Sequence, residues 1–226
     1  MEAKIRRQLA MADARKGLIL DAARVAFSRL GLERTSMREI AKQAGYTVGA
    51  LYAYFSSKQE LLSALLEEMT GRLQTAVLAA RPPKGHPEHM LLARGQAWLT
   101  FFISQPHDME LMLYLLAGIG TQRAQADIGR RVHSQIRKTL EPMGEALLAS
   151  GATPGQLDGE LEALLAQGVG LLMAQDTNRL QAPEQSPEAL FARYLQDLLN
   201  RYQAEVQASV TGAADKAAAP QVDLFR

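Results

Sequence analysis

Residues 36–58, SMREIAKQAGYTVGALYAYFSSK, restrict the folds open to this chain more than any other stretch, because three helix boundaries crowd into them. Ser36 with Glu39 three residues on forms a capping box, in which a hydroxyl and a carboxylate each satisfy a free backbone N–H of a new helix. Ile40, Ala41 and Ala44 then give that helix one apolar face, and Gly45 stands where a left-handed residue ends it and turns the chain. Thr47 is a cap for a second helix, on which Val48, Leu51, Tyr52 and Phe55 recur at helical spacing. Ser57 and Glu60 make another capping box, opening a third and longer helix. Two short helices across a tight glycine turn are a helix-turn-helix.

The remaining chain has the same periodicity and no strand-like alternation of any length, so the expected fold is all-α with about nine helices. Residues 17–30 place Ile19, Leu20, Ala23, Ala26, Phe27 and Leu30 on one face and supply the support for the two short helices. Further helices are expected at 58–80, 88–104, 107–117, 122–149 with a bend near Pro142, 156–178 and from 187 to about 207. Proline and glycine between 82 and 87 break the chain decisively. The expected organisation is a flexible basic arm at 1–13, a helix-turn-helix head at 14–60, a helical body at 61–208 and a flexible tail at 209–226.

Charge separates head from body. Residues 1–60 hold 11 Lys and Arg against 6 Asp and Glu, and the remainder holds 14 against 18, so a net charge of +1 conceals a basic head and an acidic body. A basic module is drawn to phosphate and an acidic body is repelled by it, which orients the molecule on DNA. An ordinary surface imbalance is the other reading. The chain of 226 residues has no cysteine, which excludes disulfides and thiolate metal sites. No apolar run approaches the roughly 18 residues of a membrane span, and the N-terminus lacks the apolar core of a signal peptide, so a cytoplasmic, nucleoid-associated protein is expected.

The stretch 36–58, preceded by an amphipathic helix, resembles the DNA-binding domain of the TetR family of transcriptional regulators. The matching residues are Ile40 and Ala41, Gly45, and the run Leu51-Tyr52-x-Tyr54-Phe55-x-x-Lys58. The resemblance implies a homodimer whose last two helices pair with those of a second subunit, and a palindromic double-stranded operator read in successive major grooves about 34 Å apart. It implies phosphate contacts from Tyr52, Tyr54 and Lys58, with Thr47, Val48, Gly49 and Ala50 facing the bases. Arg38, at the start of the first short helix, and the arginines of the basic arm are the remaining candidates for strong contacts. The second helix carries no Arg, Asn or Gln, the side chains that read guanine or adenine through two hydrogen bonds, so sequence choice leans on DNA shape. Some family members carry Trp-His-Gly where this chain has Ala166-Gln167-Gly168, a departure that leaves the ligand open.

A repressor released by a small apolar or amphipathic effector is the expected function. Trp98, Phe101, Phe102, Met112, Tyr114 and Met173 are the candidate ligand-binding side chains, with ordinary core packing as the alternative reading of each. Arg94, Arg123 and His133 are polar candidates for a pocket wall or plain surface residues. His86 and His89, with Glu88 between them, do not make a convincing metal site on sequence alone, and no cofactor is expected. No catalytic constellation is visible, so the chain does not read as an enzyme. The last residues, Gln221-Val222-Asp223-Leu224-Phe225, resemble the peptide by which bacterial proteins dock on the sliding clamp. That raises a second reading, a DNA-bound adaptor using Gln221, Asp223, Leu224 and Phe225 to recruit a replication or division protein.

Overall fold

The computed structural model describes residues 2–84, 86–116, 123–177, 179–180, 182 and 185–218. Among these residues it is all-α, with ten helices and a short 3-10 turn at Pro87–His89: α1 (Glu2–Leu30), α2 (Met37–Ala44), α3 (Val48–Tyr52), α4 (Lys58–Ala79), α5 (Met90–Ser104), α6 (Pro106–Leu116), α7 (Arg123–Lys138), α8 (Glu141–Ala149), α9 (Pro154–Asp176) and α10 (Pro187–Ala218). No described helix is long and apolar enough to cross a membrane.

Three expectations change. The presumed arm is helical from Glu2 onward, because Ala, Arg, Lys, Gln and Leu are strong helix formers and Gly17 costs a helix only about 1 kcal/mol. The expected tail is helical as far as Ala218, since adding residues to an existing helix avoids the cost of nucleation. The expected bend near Pro142 is a complete break between α7 and α8. Proline lies in the first turn of α8, where its missing N–H has no intrahelical partner to lose.

The chain divides into two compact units, residues 1–75 with 101–138 and residues 76–100 with 139–226, in place of a single division at residue 60. In the first, Ile19, Ala23, Ala26 and Phe27 of α1 join Ile40, Ala41, Leu51, Phe55, Leu61 and Leu65 in a buried core. The 31–36 connection is pinned from both sides. Thr35 is buried and its hydroxyl donates to the carbonyls of Ala26 and Gly31 at 3.1 and 2.8 Å. The Lys58 ammonium donates to the carbonyls of Leu32 and Thr35 at 2.9 and 3.0 Å.

The first unit also encloses a carboxylate. Asp108 in the first turn of α6 is 1% exposed, and its two oxygens accept from Arg24 of α1 at 2.7 Å and Arg72 of α4 at 2.5 Å. Glu68 of α4 pairs with both arginines, and Asp21 takes another Arg24 N–H at 2.6 Å. Three helices therefore meet on one charge network. Ser28 of α1 donates to Glu110 of α6, adding a second polar link between those two helices.

In the second unit, Gly168 of α9 lies against Trp98 of α5 so closely that an added Cβ would meet the ring at 2.6 Å. The small residues at 166–170 thus admit an indole, whose N–H donates to Thr139 at 3.0 Å. Leu161, Leu164 and Leu172 of α9 and Phe191, Leu195 and Leu199 of α10 are buried, with Leu195 against Gly95 of α5 and Phe191 beside the Trp98 ring. Tyr202, almost fully buried, donates to Glu160 at 2.8 Å, and Arg201 donates to the same carboxylate oxygen at 2.9 Å. Burial first, and the Glu160 carboxylate second, push the Tyr202 phenol up to about 12.

Two outcomes follow from these buried groups. Asp108→Asn removes a charge that two arginines require, and the unfolding free energy from urea titration should fall by about 3 kcal/mol, less than a fully enclosed pair because Arg72 is partly exposed. An unchanged midpoint would show that the network contributes nothing. The raised Tyr202 value means that the folded state holds this proton more tightly than the unfolded chain. Its stabilising effect is complete below pH 10 and is lost as pH rises from 10 towards 12. Denaturation between pH 8 and 11 should show that decline in the native sequence, and Tyr202→Phe should flatten it.

Candidate nucleic-acid interface

Short-range capping builds the helix-turn-helix. Ser36 adopts extended backbone geometry and its hydroxyl accepts the Glu39 N–H at 3.2 Å, which is the hydroxyl half of the expected box. Gly45 sits at φ 71°, ψ 25°, and the following N–H of Tyr46 reaches back to the Ala41 carbonyl at 2.9 Å. This left-handed closure lets α3 begin with only three residues between it and α2. Thr47 caps α3, accepting the Ala50 N–H at 3.1 Å. At the start of α4, Ser57 accepts the Glu60 N–H at 3.1 Å. The Glu60 carboxylate reaches Ser56 in place of Ser57, accepting its N–H at 2.7 Å and its hydroxyl at 2.5 Å, and these bonds lower the Glu60 pKa.

The faces are sharply divided. Met37, Ile40, Ala41, Leu51 and Phe55 are buried, while Arg38, Thr47, Gly49 and Tyr52 are exposed and Val48, Ala50 and Tyr54 are half-buried. A Cβ added at Gly49 would meet no atom within 4 Å, so the backbone there is open to close approach. Of the eight residues expected to face DNA, these seven are each exposed or half-buried. Lys58 differs, because two of its three N–H bonds already go to the 31–36 connection; it braces the motif as well as carrying charge. Two side chains that sequence reasoning missed stand beside this surface. The Arg15 guanidinium donates to the Tyr54 hydroxyl, which raises its pKa, and the Lys16 ammonium lies 5.6 Å from the centre of the Phe55 ring. The signal for them was the unbroken run of helix formers ahead of Gly17.

Of the expected ligand-binding residues, Trp98, Phe101 and Phe102 lie on α5, Met112 and Tyr114 on α6 and Met173 on α9. Phe101, Phe102, Met112 and Tyr114 belong to the first compact unit and Trp98 and Met173 to the second. Trp98, Phe102 and Met112 have no exposed surface and pack as core, and Met173 is 48% exposed. Close packing consumes large apolar side chains, and periodicity cannot distinguish a filled interior from a hollow one. Phe101 lies edge-on to Phe102 beneath the Arg72 guanidinium. Tyr114 lines a cavity of about 240 Å³ with Phe27, Ser28, Gly31, Leu32, Glu110 and Leu111. Burial and the Glu33 carboxylate raise its phenol pKa. Arg94, considered for a pocket wall, instead pairs with Glu145 at 3.1 Å and with the Pro142 carbonyl.

His86, Glu88 and His89 bring three ligand atoms within 4.8 Å of one another, the one such group among the described residues. Their present bonding is internal, with His86 Nδ1 2.9 Å from Glu88 and the two rings stacked at 5.2 Å. Gln221, Asp223, Leu224 and Phe225 lie outside the described residues, as does the side chain of Arg123.

With this geometry in hand, comparison with known proteins is specific. Residues 19–65 match the bacterial regulatory proteins of the tetR family, a span that runs from the first buried residue of α1 into α4. The HTH-type transcriptional regulator BetI of Escherichia coli is 28% identical over 168 residues, covering 67% of this chain and 83% of its own. A transcriptional regulator from Rhodococcus sp. superposes with a TM-score of 0.66 at 24% identity, covering 83% of this chain and 97% of that one. GusR of Salmonella enterica gives 0.62 at 23% identity, with 84% and 96% covered.

The cap at Thr47 separates a structural role from a reading one. Thr47→Ala should lower head stability by about 1 kcal/mol in thermal or urea unfolding without DNA, because it leaves the first turn of α3 uncapped. Thr47→Ser should restore it. Equal stability of all three proteins would mean that the hydroxyl contributes nothing to the fold.

Proposed function

We propose that this chain, a member of the TetR family of bacterial transcriptional regulators, is a homodimeric repressor that binds a palindromic operator and is released by a small amphipathic ligand. DNA binding and transcriptional regulation are the part that the family match and the relatives support. The observation that carries the rest is the accessible surface of Arg38, Thr47, Val48, Gly49, Ala50, Tyr52 and Tyr54, held in one orientation by caps at both ends of the turn.

The chemistry of that surface favours docking over direct readout. Tyrosine hydroxyls and an arginine suit phosphate oxygens, and an open glycine permits close backbone approach. Ala50 and Val48 offer methyl contacts to thymine, and no side chain of α3 can grip a base through two hydrogen bonds. A single such head would discriminate weakly, so two heads on half-sites about 34 Å apart supply the specificity that one lacks. The second unit supports pairing. Gly155, Gly159 and Ala163 line an open groove along α9, beside Tyr194, Leu198 and Arg201 of α10, and small residues let another helix approach closely.

Release by a ligand needs differential affinity between the DNA-competent conformation and another. A hundredfold preference corresponds to about 2.7 kcal/mol. The cavity lined by Phe27, Leu111, Tyr114 and Glu110 supports an amphipathic effector of modest size, with aromatic walls and one carboxylate.

Duplexes recovered from random-sequence DNA by the purified protein should converge on an inverted repeat, and the mass in solution should be twice 24.7 kDa. Tyr52→Ala should weaken binding to every recovered sequence and reduce the slope of log affinity against log salt by about 1. An unchanged slope would remove Tyr52 from the interface, and recovery of no common sequence would overturn the operator reading.

A further inference from the structure

We propose that the first four turns of α1 form an additional DNA contact, a cationic helix lying along the phosphate backbone outside the segment read by α3. The proposal rests on the DNA-binding reading of α2 and α3 and extends the interface beyond them. α1 starts at Glu2, yet its first buried residue is Ile19, and every side chain described from Lys4 to Lys16 is exposed. At 1.5 Å per residue, about 22 Å of helix precedes the packed part of α1. A helix this exposed gains little stability from packing on its own domain, and its charges are open to a further surface.

The charge pattern identifies that surface. Residues 2–16 contain Lys4, Arg6, Arg7, Arg15 and Lys16 against Glu2 and Asp13. With about 100° between successive residues, Lys4, Arg7 and Arg15 fall on one stripe with Gln8 and Met11, and both acids fall on the opposite side. Arg15, at the inner end of that stripe, donates to Tyr54 of the helix-turn-helix, and neighbouring Lys16 sits over Phe55. The stripe is thus continuous with the accessible tyrosine surface and leads outward from it. A helix continuous with α1 carries its charges at fixed positions, so less conformational entropy is lost on docking than for a flexible arm. On the other side of the helix, Ile5 and Leu9 are 51% and 61% exposed. A basic helix with such a face also suits an anionic lipid surface, and the experiment separates the two partners.

The test uses the full chain and a duplex recovered from random-sequence DNA by the wild-type protein, prepared in two lengths. One is trimmed to the inverted repeat, and the other carries about ten extra base pairs on each side. Lys4→Ala/Arg7→Ala keeps helix propensity, which circular dichroism confirms, and removes two cations from the stripe. On the flanked duplex its affinity should fall at least about tenfold, and its salt slope should drop by about 1.8 per chain, or 0.9 for each lost phosphate contact. On the trimmed duplex the two proteins should agree within about twofold. Equal salt slopes on the flanked duplex would overturn the proposal, as would an equal loss on both lengths. Unchanged DNA binding with lost binding to phosphatidylserine vesicles would assign the helix to a membrane and overturn it too. Tyr52→Ala, run in parallel, reports on the helix-turn-helix itself, so a failure of the underlying DNA reading shows separately.

Discussion

The carboxylate of Asp108 has almost no contact with water, and a buried charge in that position is tolerable only because Arg24 and Arg72 bring opposite charges and hydrogen bonds to it. Those arginines belong to α1 and α4, the helices on either side of the helix-turn-helix in the chain. The geometry of α6 is therefore tied to both. A hydrophobic contact tolerates sliding, since dispersion and apolar burial are non-directional. Paired charges with short, directed hydrogen bonds do not, and they give the first compact unit a defined relation between α6 and the two helices that flank the reading element.

Within that frame the DNA-facing motif is assembled from small polar contacts. The loop at 31–36 would otherwise be a weak point, and it is held by Thr35 from below and by the Lys58 ammonium from α4. The Lys58 ammonium satisfies two carbonyls of the connection on which α2 is mounted.

Much of the helix-turn-helix could be read from residue order. Ser36, Gly45, Thr47 and Ser57 act through hydrogen bonds spanning three to five residues, and such bonds are specified by local spacing. The inward faces of α1, α2 and α4 followed equally from periodicity. Local reasoning failed where a residue has two uses. Gly17 suggested a helix start and is instead interior to α1, and 211–218 had the composition of a linker and is helical. Trp98 and Phe102 were candidates for a ligand cavity and proved to be fully buried, because whether an aromatic side chain lines a hole or fills it depends on its neighbours in space.

The amino-acid order alone determined the helical class, the position of the turn at Gly45, the basic character of the head and the side of each short helix that faces outward. Those properties depend on backbone capping, side-chain periodicity and summed charge, each of which is local or additive. Only the tertiary structure decided that Asp108 is enclosed by two arginines, that Lys58 braces residues 32 and 35, that Gly168 accommodates Trp98 and that Arg15 meets Tyr54. These partners stand 23 to 84 residues apart in the first two cases. No local spacing rule links positions so distant; burial and the directionality of hydrogen bonds select them once the helices have packed.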